Sequence, residues 1–314
     1  MSLKIALSGF WDNQIEDLSK LFPKIEFQSI EGQDIANYNP DALVSLTESA
    51  LDQVFVPEVF NQCSSLQWVH ASSAGIDNYL DQLKKVNFTL TCGKVIQGPN
   101  VADHGMALLL ALTRRLPWFF RGDEKSDVPR PTELLGKRAL IIGLGGIGMC
   151  LAERCAAFGM EVDAVTEDLM PLVSFINDVY LQDQLLEALP KADVVLIAAP
   201  KTLATANMIN EEALSVMKES AYLINVSRGS IVDLNALVKT LEANRLEAVG
   251  LDVTDPEPLP GNHPLRSFDR VLITPHVAGV TTSHARRFEL IRNNIRRFAN
   301  GMPLVNVVDK NFGY

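Results

Sequence analysis

The segment Gly143-Leu-Gly145-Gly-Ile-Gly148 limits the folds open to this chain more than any other stretch. It follows the apolar run Ala139-Leu-Ile-Ile142 without a gap and leads straight into a helical pattern. In a strand–turn–helix unit, Gly143 permits the tight turn and Gly145 lets the backbone approach a pyrophosphate. Gly148 lets the helix pack closely on the strand. The helix opens at Ile147, just past Gly146, and its positive end favours phosphate charge. A glycine-rich turn alone is a weak signal. With an apolar strand before it and a helix after it, the turn reads as dinucleotide-binding.

The same alternation of strand and helix runs through the chain. Around the turn, the sequence predicts strands over 138–142, 161–166, 193–199, 221–226, 248–252 and 271–274, with helices over 147–158, 210–217 and 234–243. Before it, strands are expected at 3–7, 42–45, 66–70 and 88–91, with helices at 11–21 and 57–63. One long helix is expected from Asn100, as its N-cap, to Phe120, and another from Thr282 to Ala299. The connector between Arg121 and Lys137 is polar and proline-bearing, and reads as a mobile or arm-like stretch. Near-continuous Val, Ile, Leu and Ala strands suit parallel sheets covered on both faces. The fold class is therefore α/β, doubly wound. Asp163 sits inside the strand predicted over 161–166, where an apolar residue is expected, and reads as a hydrogen-bonded or water-facing position.

Composition narrows the function classes. The 314 residues carry 28 Lys+Arg and 38 Asp+Glu, a net charge of −10. That balance argues against a nucleic-acid binder or a protein of anionic membranes. The apolar run at 106–112 is too short to span a bilayer. The four cysteines, Cys63, Cys92, Cys150 and Cys155, fit no metal-ligand spacing and read as thiols of a reducing compartment. The first residues lack the apolar core of a signal peptide. These features together predict a cytoplasmic protein without a metal.

Three ionisable residues stand just past predicted strands: Arg228 after LINVS, Glu257 in GLDVTDPEP, and His276 after VLITP. In an open parallel sheet, such positions line the crevice where ligands bind. Taken singly, each has a plain alternative: a surface ion pair, a loop charge and a core histidine.

These segments, in this order, resemble the D-isomer-specific 2-hydroxyacid dehydrogenase family. The resemblance runs from about Leu3 to Val308 and includes GKRALIIGLGGIG, ALSVMKESAYLINVSRGSIVD, GLDVTDPEPLPGNHPL and VLITPHVAG. The run LDVTDPEPLPGNHPL is most similar to the glyoxylate/hydroxypyruvate reductase branch.

The resemblance implies two Rossmann-like domains, with residues 1–98 and 285–314 forming the substrate domain and 99–284 the dinucleotide domain. It implies a cleft between them that holds the active site, and a homodimer. It assigns catalysis to Arg228, Glu257 and His276. His276 exchanges a proton with the substrate oxygen, Glu257 orients the imidazole, and Arg228 grips the carboxylate. Backbone N–H groups at Ala74 and Gly75 join Arg228 in binding the substrate. Pro200, Val226, Ser227 and Asp252 join Gly143, Gly145, Gly146, Ile147 and Gly148 around the cofactor, with Thr166 and Glu167 toward the adenosine ribose. His104 is expected to be structural. With Thr166, Glu167 and Asp168 after the second strand and no base there, NAD is favoured and NADP is the alternative. Lys201 is the one nearby base that could serve a 2′-phosphate. The expected substrate is a small 2-oxo or 2-hydroxy acid. A phosphoglycerate-type dehydrogenase and a nucleotide-sensing binding protein are the alternatives.

Overall fold

The computed structural model describes residues 2–30, 35–46, 62–73, 75–76, 79–122, 124–125, 128–167, 173–282 and 284–310. The chain forms two compact units: Met1–Ile96 with Thr282–Tyr314, and Gln97–Thr281.

The first unit holds a parallel five-stranded sheet in the order β2-β1-β3-β4-β5. Its strands are β1 (Leu3–Ser8), β2 (Ile25–Ser29), β3 (Ala42–Ser45), β4 (Trp68–Ala71) and β5 (Thr89–Cys92). The longer helices are α1 (Asp12–Leu21) here, then α2 (Gly98–Thr113), α3 (Leu116–Phe120), α4 (Gly146–Ala157), α5 (Glu211–Val216), α6 (Leu234–Glu242) and finally α7 (Ala285–Ala299). Successive strand side chains face opposite ways, so alternate residues build two cores. Ile5, Leu7, Val44 and Trp68 pack with Ile291 and Ile295 of α7, while Ala6, Leu43, Val69 and Leu90 build the other face.

The second unit holds a seven-stranded sheet in the order β12-β11-β10-β9-β6-β7-β8, parallel throughout. These are β6 (Arg138–Ile142), β7 (Glu161–Val165), β8 (Val179–Tyr180), β9 (Val194–Ile197), β10 (Tyr222–Asn225), β11 (Ala248–Leu251) and β12 (Val271–Ile273). The chain winds outward from β6 to β8, then returns to β9 on the other side of β6. Winding therefore reverses between β6 and β9, and the crevice at the carboxyl ends of those strands is where such sheets bind ligands. Leu140, Val195, Leu223 and Val249 pack toward α5 and α6, and Ala139, Val194, Leu196 and Ile224 toward α2 and α4.

Several local expectations change. The helix expected from Asn100 to Phe120 is two helices. It begins earlier, with Gln97 as N-cap and Pro99 in its first turn, where a missing N–H costs nothing. It ends because Arg115 turns left-handed (φ 61°), with its guanidinium sealed against Glu247 and Trp118, and Pro117 opens the next helix. The edge strand β2 was not foreseen, nor was the two-residue β8. The helix expected over 57–63 lies mostly outside the described residues. The second half of the 121–137 connector is laid on the second unit. The Thr132 N–H donates to the Thr113 carbonyl at 2.8 Å, and Leu134 is buried.

Of the two positions expected for Asp163, the structure shows the hydrogen-bonded one and not the water-facing one. It is 2 % exposed, and Arg138 Nη1 donates to its Oδ2 at 2.8 Å. Cys63, Cys92 and Cys155 are buried, and burial pushes the Cys155 thiol up to about 12. No helix among the described residues is long and apolar enough to cross a membrane.

Candidate active site

The glycine turn sits at the exit of β6, beside the winding reversal. Gly143 adopts φ +90°, and a Cβ there would lie 2.5 Å from the Ala199 Cα, so the backbone of the neighbouring strand exit excludes any side chain. A Cβ on Gly148 would come within 1.9 Å of the Gly143 carbonyl oxygen, so this glycine lets α4 close onto the turn. Gly145 differs. A Cβ there would meet nothing within 4 Å, so the protein's own packing does not demand glycine. The open space lies at the N-cap of α4, which has no side-chain cap, so its first N–H groups are available to an anion. A pyrophosphate fits that cradle. Ile147 is half-buried beneath it, packed against the core.

The other expected cofactor residues reach the same carboxyl edge. Thr166 follows β7 and donates its N–H to the Tyr180 carbonyl at 3.0 Å; Glu167 beside it is exposed. Asp168 lies outside the described residues. Pro200 follows β9 and is exposed, with Lys201 next to it, also exposed. Val226 and Ser227 follow β10 and are buried, the Ser227 N–H donating to Asn225 Oδ1 at 3.0 Å.

Arg228, Glu257 and His276 leave the ends of β10, β11 and β12, which are neighbours in the sheet. His276 Nδ1 lies 2.6 Å from Glu257 Oε1. The pair is only partly covered, the side chains being 47 % and 39 % exposed. Since Nδ1 faces the carboxylate, Nε2 is the nitrogen left for chemistry. Arg228 is half-buried, its Nη1 donating to the Ser227 carbonyl at 2.8 Å. Gly229 sets how near the arginine loop comes to the glutamate loop. A Cβ there would sit 2.0 Å from the Thr254 carbonyl carbon. The site can thus hold an anion at Arg228 and move a proton at His276.

Residues 106–278 match the family described as D-isomer specific 2-hydroxyacid dehydrogenase, NAD binding domain. The chain belongs to the D-isomer specific 2-hydroxyacid dehydrogenase family. A glyoxylate reductase of Thermofilum pendens is 34% identical over 295 residues, covering 85% of this chain and 81% of its own. A glyoxylate reductase of Pyrococcus furiosus is 34% identical over 284 residues, covering 86% and 82%. The structure of a D-isomer specific 2-hydroxyacid dehydrogenase from Xanthobacter autotrophicus Py2, in complex with NADPH and MES, superposes with a TM-score of 0.83 at 24% identity, over 100% of both chains. The protein is accordingly an oxidoreductase with a nicotinamide-dinucleotide domain.

Asp252, expected beside the cofactor, lies just past β11. Asp252 is 1 % exposed, and its carboxylate is already taken. Oδ1 accepts from Thr274 Oγ1 at 2.6 Å and from the Val277 N–H at 3.0 Å, and Oδ2 accepts from the Ala278 N–H at 2.9 Å. Its chemistry is spent on the loop that carries His276, because a buried carboxylate must be satisfied by donors. Ala74 lies outside the described residues. Gly75 belongs to the first unit, where its carbonyl accepts from Ser73 Oγ at 2.8 Å. The reading from sequence missed Thr274, Asn225 and Gly229. The first two are polar residues closing apolar strand runs, a pattern that was present in the sequence.

Proposed function

We propose that this enzyme reduces small 2-oxo acids, glyoxylate and hydroxypyruvate foremost, with NADH, through Arg228, Glu257 and His276. The observation that carries the reading is the His276–Glu257 pair at 2.6 Å on the exits of β11 and β12, with Arg228 on the exit of β10. The glyoxylate reductases that resemble this chain over more than four fifths of their length support the substrate class. When bound, the nicotinamide supplies the hydride. Arg228 binds the substrate carboxylate and draws electron density from the carbonyl. Protonated His276 gives the proton on Nε2 to the forming alkoxide, and Glu257 holds the ring through Nδ1.

The unit 97–281 serves as the dinucleotide domain, with Gly143, Gly145, Gly146, Ile147 and Gly148 around the pyrophosphate. The other unit serves the substrate, and the roles of Ala74 and Gly75 rest on the sequence resemblance. Asp252 belongs to the cofactor region through the loop it holds. The preference for NADH rests on the exposed Glu167 after β7, whose charge opposes a 2′-phosphate. A cytoplasmic homodimer completes the reading; the exposed Phe119 and Phe120 (83 %) beside the connector support it.

A steady-state panel of 2-oxo acids against NADH and NADPH tests the proposal. Glyoxylate and hydroxypyruvate are expected to exceed pyruvate and phenylpyruvate in kcat/KM. A phenylpyruvate value far above that for glyoxylate overturns the substrate. A tenfold preference for NADPH, ~1.4 kcal/mol, overturns the cofactor, and loss of that preference in Lys201→Ala would identify the cause.

A further inference from the structure

His276 sits in a loop that could not hold its shape alone. Its φ is +54°, the left-handed region that an L side chain enters at a cost. Asp252 fixes the loop from beneath, its backbone carbonyl accepting from the His276 N–H at 2.8 Å while its carboxylate takes Thr274, Val277 and Ala278. Two residues of α2 grip the same loop from the side. His104 Nε2 is 2.9 Å from Thr274 Oγ1 and 3.3 Å from Asp252 Oδ1. Asn100 Nδ2 donates to the Ala278 carbonyl at 3.1 Å. Positions 100 and 104 are one helical turn apart and so share a face of α2. They therefore hold the loop on both sides of His276, at residues 274 and 278.

The hydrogen count fixes the tautomer of His104. Thr274 has one hydroxyl proton, and it goes to Asp252 Oδ1. The hydroxyl can only accept from His104, so Nε2 carries the ring proton. A glutamine at this position places an amide N–H at a similar reach, whereas alanine leaves the Thr274 oxygen without that donor.

We infer that His104, with Asn100, is a positioning residue for the acid–base step: α2 clamps the 274–278 loop and thereby holds the His276 imidazole at the distance and angle proton transfer needs. The inference rests on the reading of His276 as the acid–base group. A misplacement of about 1 Å far from the chemistry can lower turnover as much as ~10²-fold.

The experiment measures kcat and KM for glyoxylate, and the NADH dissociation constant by fluorescence titration, in His104→Ala, His104→Gln, Thr274→Val and His276→Ala, and in the double variant of His104→Ala with His276→Ala. His104→Ala is expected to lower kcat between about tenfold and a hundredfold with the NADH dissociation constant within about twofold. His104→Gln restores most of kcat, and His104→Ala has no further effect on the residual rate once His276 is alanine. Should His104→Ala not fold, Thr274→Val removes the oxygen that accepts from His104, together with its own bond to Asp252, and must show a selective loss of kcat at least as large. The clamp alone is overturned if His276→Ala abolishes turnover while His104→Ala or Thr274→Val keeps it. It is overturned likewise if the loss is equal in the His276→Ala background, or if NADH affinity falls in step with kcat. If His276→Ala keeps turnover, the acid–base reading and the clamp fall together.

Discussion

At the amino-terminal end of the seven-stranded sheet, ion pairs brace the starts of the strands. Arg138, the first residue of β6, pairs with Glu161 and Asp163 of β7. Asp193, just before β9, accepts from the Arg138 N–H at 2.9 Å and pairs with Lys218 at 2.9 Å. Glu247, just before β11, pairs with Arg115. At the carboxyl end, His276 and Glu257 pair at 2.6 Å. Distance does not separate the two groups. What separates them is what the pair joins. The amino-terminal pairs brace strand starts: Arg138 faces Glu161 across the β6–β7 ladder, and Asp193 and Glu247 are held by Lys218 before β10 and by Arg115 after α2. The carboxyl-terminal pair links two loops and leaves one imidazole nitrogen uncommitted among the described residues. A close ion pair therefore marks a site only when strand polarity puts it over the crevice and its proton has somewhere to go.

Two substitutions should part these roles. His276→Ala is expected to lower kcat by ~10²–10⁴-fold and to leave the thermal midpoint unchanged, since the ring is half-exposed and caps nothing. Arg138→Ala should do the reverse. It leaves the sealed Asp163 carboxylate without its cation, a loss of about 3 kcal/mol or more in a urea titration, with kcat of the folded protein retained. Equal stability losses in the two variants would erase the distinction between the ends.

Gly229→Ala falls between the two. Its Cβ would overlap the Thr254 carbonyl group, which is backbone and cannot swing aside. The loops of Arg228 and Glu257 must separate, so kcat/KM should fall at least about tenfold, together with about 2 kcal/mol of stability. A variant with wild-type kcat/KM would show that the spacing of these loops does not matter to the reaction.

Much of this was legible because it is local. The glycine turn declares itself by its spacing and by the apolar strand it follows, and the functional trio by lying just past strand runs. The misses are nonlocal or marginal. β2 is an edge strand of five residues, Ile25-Glu-Phe-Gln-Ser29, only partly buried, so its alternation is too short to register. The break after α2 depends on Arg115 reaching Glu247, 132 residues away in sequence. Asp163 looked wrong in its strand because Arg138, which neutralises it, belongs to the neighbouring one. Asp252 lies just past a strand as ligand-binding residues do. Its commitment to the 274–278 loop shows only once β11 and β12 are side by side.

The first unit supplies a control for the comparison: an imidazole near the carboxyl end of a strand that is sealed rather than presented. His70 of β4 is fully buried, its Nδ1 2.8 Å from Thr91 Oγ1, while Nε2 has no hydrogen-bond partner. Burial, with the Arg287 charge nearby, holds its pKa down at about 4. The unfolded chain would titrate near the ordinary value of about 6.5. Between about pH 6.5 and pH 4 the unfolded state therefore binds more protons than the folded one, and stability falls as pH falls through that window. Above it, His70 contributes no pH dependence. The expected loss at pH 5 relative to pH 7.5 is about 2 kcal/mol from this group. His70→Gln cannot titrate, so the difference between wild type and variant in urea midpoint, measured at pH 7.5, 6 and 5, isolates the imidazole. The wild-type midpoint should fall faster with acid than the variant's. Parallel curves would mean that His70 takes up its proton as readily in the folded chain as in the unfolded one, and that sealing this imidazole in the sheet carries no energetic consequence.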